Sequence, residues 1–180
     1  MSGCATHAPN SDVMAQPAKE GAPLKWRLSG RFSAKNEENS WNGSLTWDQQ
    51  RDAYDIVLSA PLSQGAVALR GDSNGSELSL GSDKTYADGS AERLLLEQTG
   101  WYIPFDGLRF WLTGQIAPDM AVLDVEKNTD GQLFKFKQGE WLVEFKRRVR
   151  IDGFDLPNKI FLTSSAYEVR FVIDLWDLSG

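Results

Sequence analysis

Hydrophobic and polar residues alternate along most of the chain beyond residue 23, as they do in half-buried β-strands. In the first such run the apolar face is formed by Trp26, Leu28, Gly30 and Phe32. Similar runs follow at residues 40–49 and 54–60, with only a short turn between them. Three alternating strands with short connections predict an antiparallel meander.

The alternation resumes further along the chain and continues, with one interruption, almost to the end. Further strands are expected around Val67 and Leu69, around Leu78 and Leu80, and at residues 84–86, 121–126, 133–137, 141–149, 159–164 and 168–176. In the last strand we expect Val169, Phe171, Ile173 and Leu175 to share one face. The total is about eleven strands, most of them antiparallel to their neighbours.

The interruption is a segment with helical character. Residues 91–99 are suited to a helix, with Ser90 as its N-cap and Gly100 as its stop. A second short helix is expected at residues 105–112, although Gly107 lies inside it and disfavours it. The chain is therefore predicted to run from strands through two helices and back to strands.

A meander of this length must roll up, because a flat sheet would expose long edges and one large apolar face. Barrels of about eight strands are nearly filled by their own side chains, whereas a roll of about eleven leaves room for a ligand. We therefore predict a mainly β fold, an unclosed antiparallel β-barrel of about eleven strands with a small helical lid. Residues 1–23, with three prolines among small residues, are expected to form a tether, and residues 24–180 a single barrel domain.

The inward positions are dominated by aliphatic and aromatic residues, so a ligand held inside is expected to be apolar. The candidate cavity-lining residues are Trp26, Leu28, Phe32, Leu45, Trp47, Tyr54, Ile56, Leu58, Leu69, Leu95, Leu108, Trp111, Val143, Phe145, Phe171 and Ile173. For any one of them, a place in an ordinary packed core is the alternative. Seven tryptophans in 180 residues suit a wide interior, because each large ring covers much surface at small entropic cost.

Charge and residue types argue against several functional classes. The net charge of −6, with no long Lys/Arg tract, makes nucleic acid an unfavourable partner. The sole histidine, His7, lies in the tail, so neither a histidine-based catalytic arrangement nor a common zinc site is expected in the domain. Paired carboxylates remain possible among 25 Asp and Glu residues. We expect no enzyme, no catalytic or metal-binding residue and no cofactor.

A group of basic residues allows two interpretations. It comprises Lys135, Lys137, Lys146, Arg147, Arg148 and Arg150 on two predicted strands. These cations either contact anionic headgroups or an acidic partner, or they form a solvated strand face.

The only cysteine, Cys4, follows Met1, Ser2 and Gly3, which is similar to the end of a bacterial lipoprotein signal. In such signals the cysteine becomes lipid-modified and forms the mature N-terminus. The basic and apolar regions of a signal do not precede it, so we expect no working export signal in the chain as written. A chance cysteine in a tail is the alternative interpretation.

Several short strings, in order along residues 24–178, are similar to those of the LolB family of outer-membrane lipoprotein receptors. They are WRLSGRF at 26–32, LTW at 45–47 followed by Gln49, PL at 61–62 followed by Gly65, GW at 100–101, PFDGLRFWLTG at 104–114, LP at 156–157 and VRFVIDLW at 169–176. The family's long N-terminal helix is replaced here by a stretch broken by Pro17 and Pro23.

The resemblance implies a lipid-anchored protein on the periplasmic face of the outer membrane, attached through Cys4. It implies that a monomer receives lipoproteins from a LolA-like periplasmic carrier, shelters their acyl chains and releases them into the membrane without nucleotide or metal. It also implies that Leu62, in the loop at 59–65, matches the family's protruding, membrane-touching leucine. An alternative function is a general periplasmic carrier of lipids or other apolar ligands that has no protein substrate.

Overall fold

Eleven strands and two helices make up the computed structural model, which describes residues 21–59, 65–81 and 84–179. The helices are α1 (Ala91–Thr99) and α2 (Phe105–Leu112). The strands are β1 (Lys25–Lys35), β2 (Ser40–Gln50), β3 (Ala53–Ser59), β4 (Ala66–Asp72), β5 (Gly75–Leu80), β6 (Lys84–Asp88), β7 (Val122–Lys127), β8 (Leu133–Gln138), β9 (Trp141–Ile151), β10 (Phe154–Thr163) and β11 (Glu168–Asp177).

All eleven strands belong to one antiparallel sheet, in the order β6-β5-β4-β3-β2-β1-β11-β10-β9-β8-β7. The first and last strands pair in its middle. Within the described residues β6 and β7 are the two ends of the sheet and do not pair with each other. The predicted unclosed antiparallel barrel with two helices is thus confirmed.

The alternation in sequence becomes an inner and an outer face of the sheet. In β1 the side chains of Trp26, Leu28 and Phe32 are buried on the inner face, at 4%, 1% and 4% exposure. The intervening Arg27 and Arg31 point outward and pair with Asp48 and Asp174 on neighbouring strands. Exposed ion pairs of this kind contribute little to stability, so burial of the inner face is the main stabilising force.

Both helices begin and end as their sequences predict. The Ser90 side chain accepts a hydrogen bond from the Arg93 N–H at 3.3 Å, and Gly100 ends α1 with a left-handed φ of 77°. Gly107 has a packing role in α2, because a Cβ there would lie 2.7 Å from the Trp111 ring and 3.0 Å from the Met120 sulfur. Neither helix is long and apolar enough to cross a membrane, as judged over the described residues.

A β-bulge corrects the prediction for the last strand. Leu28 pairs with Trp176 but Gly30 pairs with Ile173, so β11 carries one extra residue at this point. The extra residue reverses the faces beyond it. As a result Leu175 is 62% exposed and Trp176 is buried, and the prediction that Leu175 faces inward is wrong.

Strand β10 begins at Phe154 and not at the predicted residue 159, and it contains a second irregularity. Register shifts lie on both sides of Lys159, next to Pro157, which has no N–H to give to the β-ladder. On the paired strand, Arg148 is largely buried and donates to the carbonyl oxygens of Asp155 and Leu133 at 2.9 and 2.8 Å. Burial lowers the pKa of Arg148, and Asp155 opposes that shift.

One buried amide fastens α2 and the segment after it to the sheet. Gln138 is fully buried, and its oxygen accepts from Trp111 Nε1 at 2.8 Å and from the Ala117 N–H at 2.9 Å. Its nitrogen donates to the carbonyl oxygens of Ala117 and Met120 at 2.7 and 2.9 Å. All four of its hydrogen-bonding positions are therefore occupied.

We expect Gly30→Ala to lower the free energy of unfolding by about 2 kcal/mol or more, because the added Cβ would meet backbone atoms of the paired strand. That Cβ would lie 2.2 Å from the Val172 carbonyl oxygen and 2.9 Å from the Ile173 Cα. Urea unfolding measures the change. Gly89→Ala is the control, because nothing lies within 4 Å of its Cβ position. Equal stabilities of the two variants would contradict the prediction.

We expect Gln138→Leu to lower the free energy of unfolding by about 3 kcal/mol or more, since it leaves two buried N–H groups and two carbonyls without their partner. Loosening of α2 should also increase the binding of an apolar dye. Gln50→Leu, at an exposed strand end, should change stability by no more than about 0.5 kcal/mol. The prediction fails if the Gln138 variant is as stable as the Gln50 variant.

Candidate functional site

The inner face of the sheet and the two helices form one apolar interior, which contains all sixteen predicted cavity-lining residues. Fifteen of them are buried: Trp26, Leu28, Phe32, Leu45, Trp47, Ile56, Leu58, Leu69, Leu95, Leu108, Trp111, Val143, Phe145, Phe171 and Ile173. The sixteenth, Tyr54, is half-buried, and its hydroxyl lies 2.7 Å from Ser76 Oγ. The structure therefore brings these residues together around a common interior.

Helix α2 occupies much of this interior. Leu108, Trp111 and Leu112 are each at most 1% exposed beneath the sheet. At one end of the helix the ring centroids of Phe105 and Trp47 are 6.0 Å apart. Further along, the ring centroids of Trp111 and Phe136 are 6.4 Å apart. In this conformation the residues predicted to contact a ligand contact one another instead.

Open space remains at the ends of the interior. A cavity of about 370 Å³ lies between β3 and α2, and Trp47, Tyr54 and Ile56 from the predicted lining set contribute to its wall. A neighbouring cavity of about 510 Å³ includes Trp26 and the 71%-exposed Leu24. Both volumes fall within the range of small-molecule sites in proteins.

The rim of the 370 Å³ cavity is acidic, with Asp52, Asp72, Glu92 and Asp106 around it. The Asp106 N–H donates to Glu92 Oε1 at 2.9 Å, which joins the start of α2 to α1. Loss of solvation at the cavity wall and then the nearby Glu92 raise the pKa of the Asp106 carboxyl, while Arg109 opposes the shift. Arg109 itself lies 3.4 Å from Asp52.

The opposite end of the sheet holds an opening of about 450 Å³, lined by Trp41, Val67, Leu80 and Trp101. We call this the loop end, because β3 and β4 are joined there by the connection that contains residues 60–64. Two predicted functional residues, Leu62 in that connection and Cys4 in the tail, lie outside the described residues.

Aromatic rings cluster at the loop end. Trp101, Tyr102, Trp141 and Tyr167 form a connected group with centroid separations of 6.2 to 6.5 Å. None of the four was among the predicted lining residues. Trp141 starts an alternating strand, and this position was a usable signal, whereas Tyr102 and Tyr167 lie in connections that no periodicity assigns to the interior.

The basic residues of β8 and β9 do not form one uniform patch. Lys135 pairs with Glu126, and Lys146 with Glu144, each at 2.7 Å. Arg147 donates to the Asn158 side chain at 3.1 Å. Arg148 is held inside by backbone carbonyls, so its charge is not displayed on the surface with the others.

Comparison with solved structures shows the same fold in proteins of low sequence identity. A LolA superfamily protein from Nitrosomonas europaea superposes with a TM-score of 0.56 at 10% identity, covering 88% of this chain and 87% of that one. A DUF1329 family protein from Desulfovibrio piger gives a TM-score of 0.56 at 8% identity, covering 87% and 86%.

Sequence relatives are much more similar. An outer-membrane lipoprotein LolB from Nitrosococcus oceani is 37% identical over 85% of this chain and 76% of the relative. Proteins of that name from Halorhodospira halophila and Pseudomonas fluorescens are each 32% identical, covering 99% and 98% of this chain and 90% of each relative. The model of the family described as outer membrane lipoprotein LolB matches residues 24–176. The chain therefore belongs to the LolB family of outer-membrane lipoproteins.

Proposed function

We propose that this protein is an outer-membrane lipoprotein receptor, which accepts lipoproteins from a LolA-like periplasmic carrier and inserts them into the outer membrane. The observation that carries the proposal is the family match, which extends over residues 24–176 and thus over nearly all of the described fold. The apolar interior supports it independently, because a receptor of this kind must shelter hydrocarbon.

Acyl chains need such shelter because their transfer into water is very unfavourable. Each methylene group removed from water contributes about 0.8 kcal/mol, so three long acyl chains amount to tens of kcal/mol. The inner face offers them mainly aliphatic and aromatic side chains. Chemically, the buried inner face matches hydrocarbon, and the charged residues lie at the rim of the cavity between β3 and α2.

The two helices act as the lid of this interior. Because α2 covers the centre of the inner face, acyl chains enter by replacing contacts that Leu108 and Trp111 make with the sheet. Release then reverses this exchange. The sequence contains no G-x-x-x-x-G-K-[ST] motif for a nucleotide, so we take transfer to be a downhill exchange between binding environments.

The remaining parts of the chain have simple roles in this proposal. Residues 1–23 serve as a tether whose lipidated Cys4 holds the protein at the periplasmic face of the outer membrane. Residues 24–180 form a single lipid-binding domain that works as a monomer and catalyses no covalent step. A general lipid carrier without a protein substrate is the alternative function, and family membership favours the receptor.

Transfer between proteins tests the proposal directly. We expect the delipidated protein to take up lipoprotein when it is mixed with LolA that carries a lipoprotein, and to pass it on to liposomes without ATP. Gel filtration follows the lipoprotein from one carrier to the other. A protein that binds free fatty acid but takes nothing from LolA would instead be the general carrier.

Leu62 is the residue that we propose contacts the membrane. It is a bulky apolar residue between Pro61 and Gly65, in the connection that leaves the sheet at the loop end. An exposed leucine there would enter the hydrocarbon layer and open a path for acyl chains, whereas a charge at that depth is strongly unfavourable.

We expect Leu62→Glu to reduce lipoprotein insertion into liposomes about tenfold or more, while receipt of lipoprotein from LolA stays near that of the unchanged protein. Ser63→Glu is the matched control, because it adds the same charge to the next residue of the same connection. Circular dichroism of both variants checks the fold. If Leu62→Glu inserts lipoproteins as fast as the control, Leu62 has no role in membrane contact.

A further inference from the structure

Three buried tryptophans of the described fold donate their indole N–H to an oxygen acceptor, whereas a fourth, Trp141, does not. Trp47 Nε1 donates to Gln49 Oε1 at 2.8 Å, Trp111 Nε1 to Gln138 at 2.8 Å, and Trp176 Nε1 to the Pro157 carbonyl at 3.1 Å. Trp141 is only 1% exposed, and its Nε1 has no hydrogen-bond partner in the structure. Within the described residues, Arg109 Nε is the one other buried side-chain nitrogen or oxygen without a partner. An unpaired buried donor is destabilising, so the Trp141 N–H requires an explanation.

The side-chain amide on the paired strand does not accept this N–H. Gln138 is the cross-strand partner of Trp141, at the turn between β8 and β9. Its oxygen already accepts from Trp111 and Ala117, which uses both of its lone pairs. The Trp141 donor is therefore unpaired even though an amide lies on the neighbouring strand.

The surrounding rings do not accept the N–H either. Trp141 stacks on Tyr102 and Tyr167, with interplanar angles of 24° and 25°. An indole N–H lies in the plane of its own ring, so in near-parallel stacking it points along the tyrosine faces and not into them. A π-acceptor is excluded for these two contacts.

The position of Trp141 suits the head of an acyl chain. It is the first residue of β9, at the loop end, where the connection containing Leu62 leaves the sheet. Tyr102, which covers it, belongs to the segment joining the two helices of the lid. A chain that enters tail-first from this end has its hydrocarbon deep in the interior and its carbonyl group close to the opening.

We propose that the Trp141 N–H binds a carbonyl oxygen at the head of an acyl chain and so fixes how far the chain enters. This rests on the proposed lipid-sheltering function. Every acyl group carries one carbonyl, which is buried with the chain and needs a donor there. Because the Trp141 N–H is already stripped of water, it donates to the incoming oxygen with no further loss of solvation.

The test compares an ester lipid with its ether analogue. Titration calorimetry measures Kd for 1,2-dioctanoylglycerol and for 1,2-dioctylglycerol, which lacks both carbonyls. The ratio of ether Kd to ester Kd should be about tenfold higher for the unchanged protein than for Trp141→Phe, as expected for one buried hydrogen bond. Comparing ratios removes the intrinsic difference in hydration between the two lipids.

Trp176→Phe is the control, since it makes the same truncation at a buried tryptophan whose N–H is already paired. It should leave the ratio unchanged. If Trp141→Phe is not folded, replacement of Trp141 by 3-benzothienylalanine removes the N–H and keeps the ring shape.

Three results would be decisive against the inference or its basis. Equal ratios in the unchanged protein and Trp141→Phe would overturn the role of the N–H. An equal fall of the Kd ratio in Trp141→Phe and Trp176→Phe would assign the effect to ring size and would also overturn the role of the N–H. If neither lipid binds the unchanged protein, the result would instead contradict the proposed function.

Discussion

An open sheet with one apolar face is the constraint on which the rest of this structure depends. Within the described residues β6 and β7 do not pair, so the sheet alone cannot seal its inner face, and the two helices must cover it. Polar contacts that hold the helices to the sheet include the bonds of Gln138 and the ion pair between Arg93 and Asp88. The bond between Asp106 and Glu92 joins the two helices to each other. The core of the protein and its proposed binding site therefore consist of the same side chains. A ligand with the chemistry of those side chains can replace one part of the core by another, and displacement of α2 in this exchange breaks the hydrogen bond between Trp111 and Gln138.

Periodicity predicted much of this arrangement, because burial on one face forces a period of two in strands and because caps mark helix ends. The eleven strands and both helices lie close to their predicted positions. The errors have a common physical origin in β-bulges. One extra residue in β11 turns Leu175 outward and Trp176 inward, and the shifts beside Pro157 accompany the inward turn of Arg148. A bulge is fixed by pairing with a distant strand, so the local sequence does not contain it.

Periodicity also identifies which side chains face inward without identifying what they contact there. The predicted lining residues are buried, as they would also be in an ordinary core. Full burial of Leu95 and Val143 therefore does not distinguish a cavity lining from a packed core. Hydrogen bonding distinguishes a packed core from a ligand-binding position better than burial does, because polar groups require partners in particular directions. Gln138 is fully paired and so belongs to the closed state, whereas Trp141 has an unpaired donor. In the sequence, Gln138 is a single polar residue at an inward strand position. This position could have indicated a buried hydrogen-bonded amide.

The side chains of the interior fill it by contacting one another, and this affects the direction in which acyl chains are transferred. When a protein must first open in order to bind, its apparent affinity falls by the fraction of molecules that are open. In the proposed exchange, opening separates Leu108 and Trp111 from the sheet, and burial of these two side chains is worth several kcal/mol, at about 2 kcal/mol for each. The bilayer accepts the same chains without a comparable opening step. An interior that closes on itself when empty thus weakens the hold on acyl chains and favours their release into the membrane, while a site that stayed open and dry would retain them.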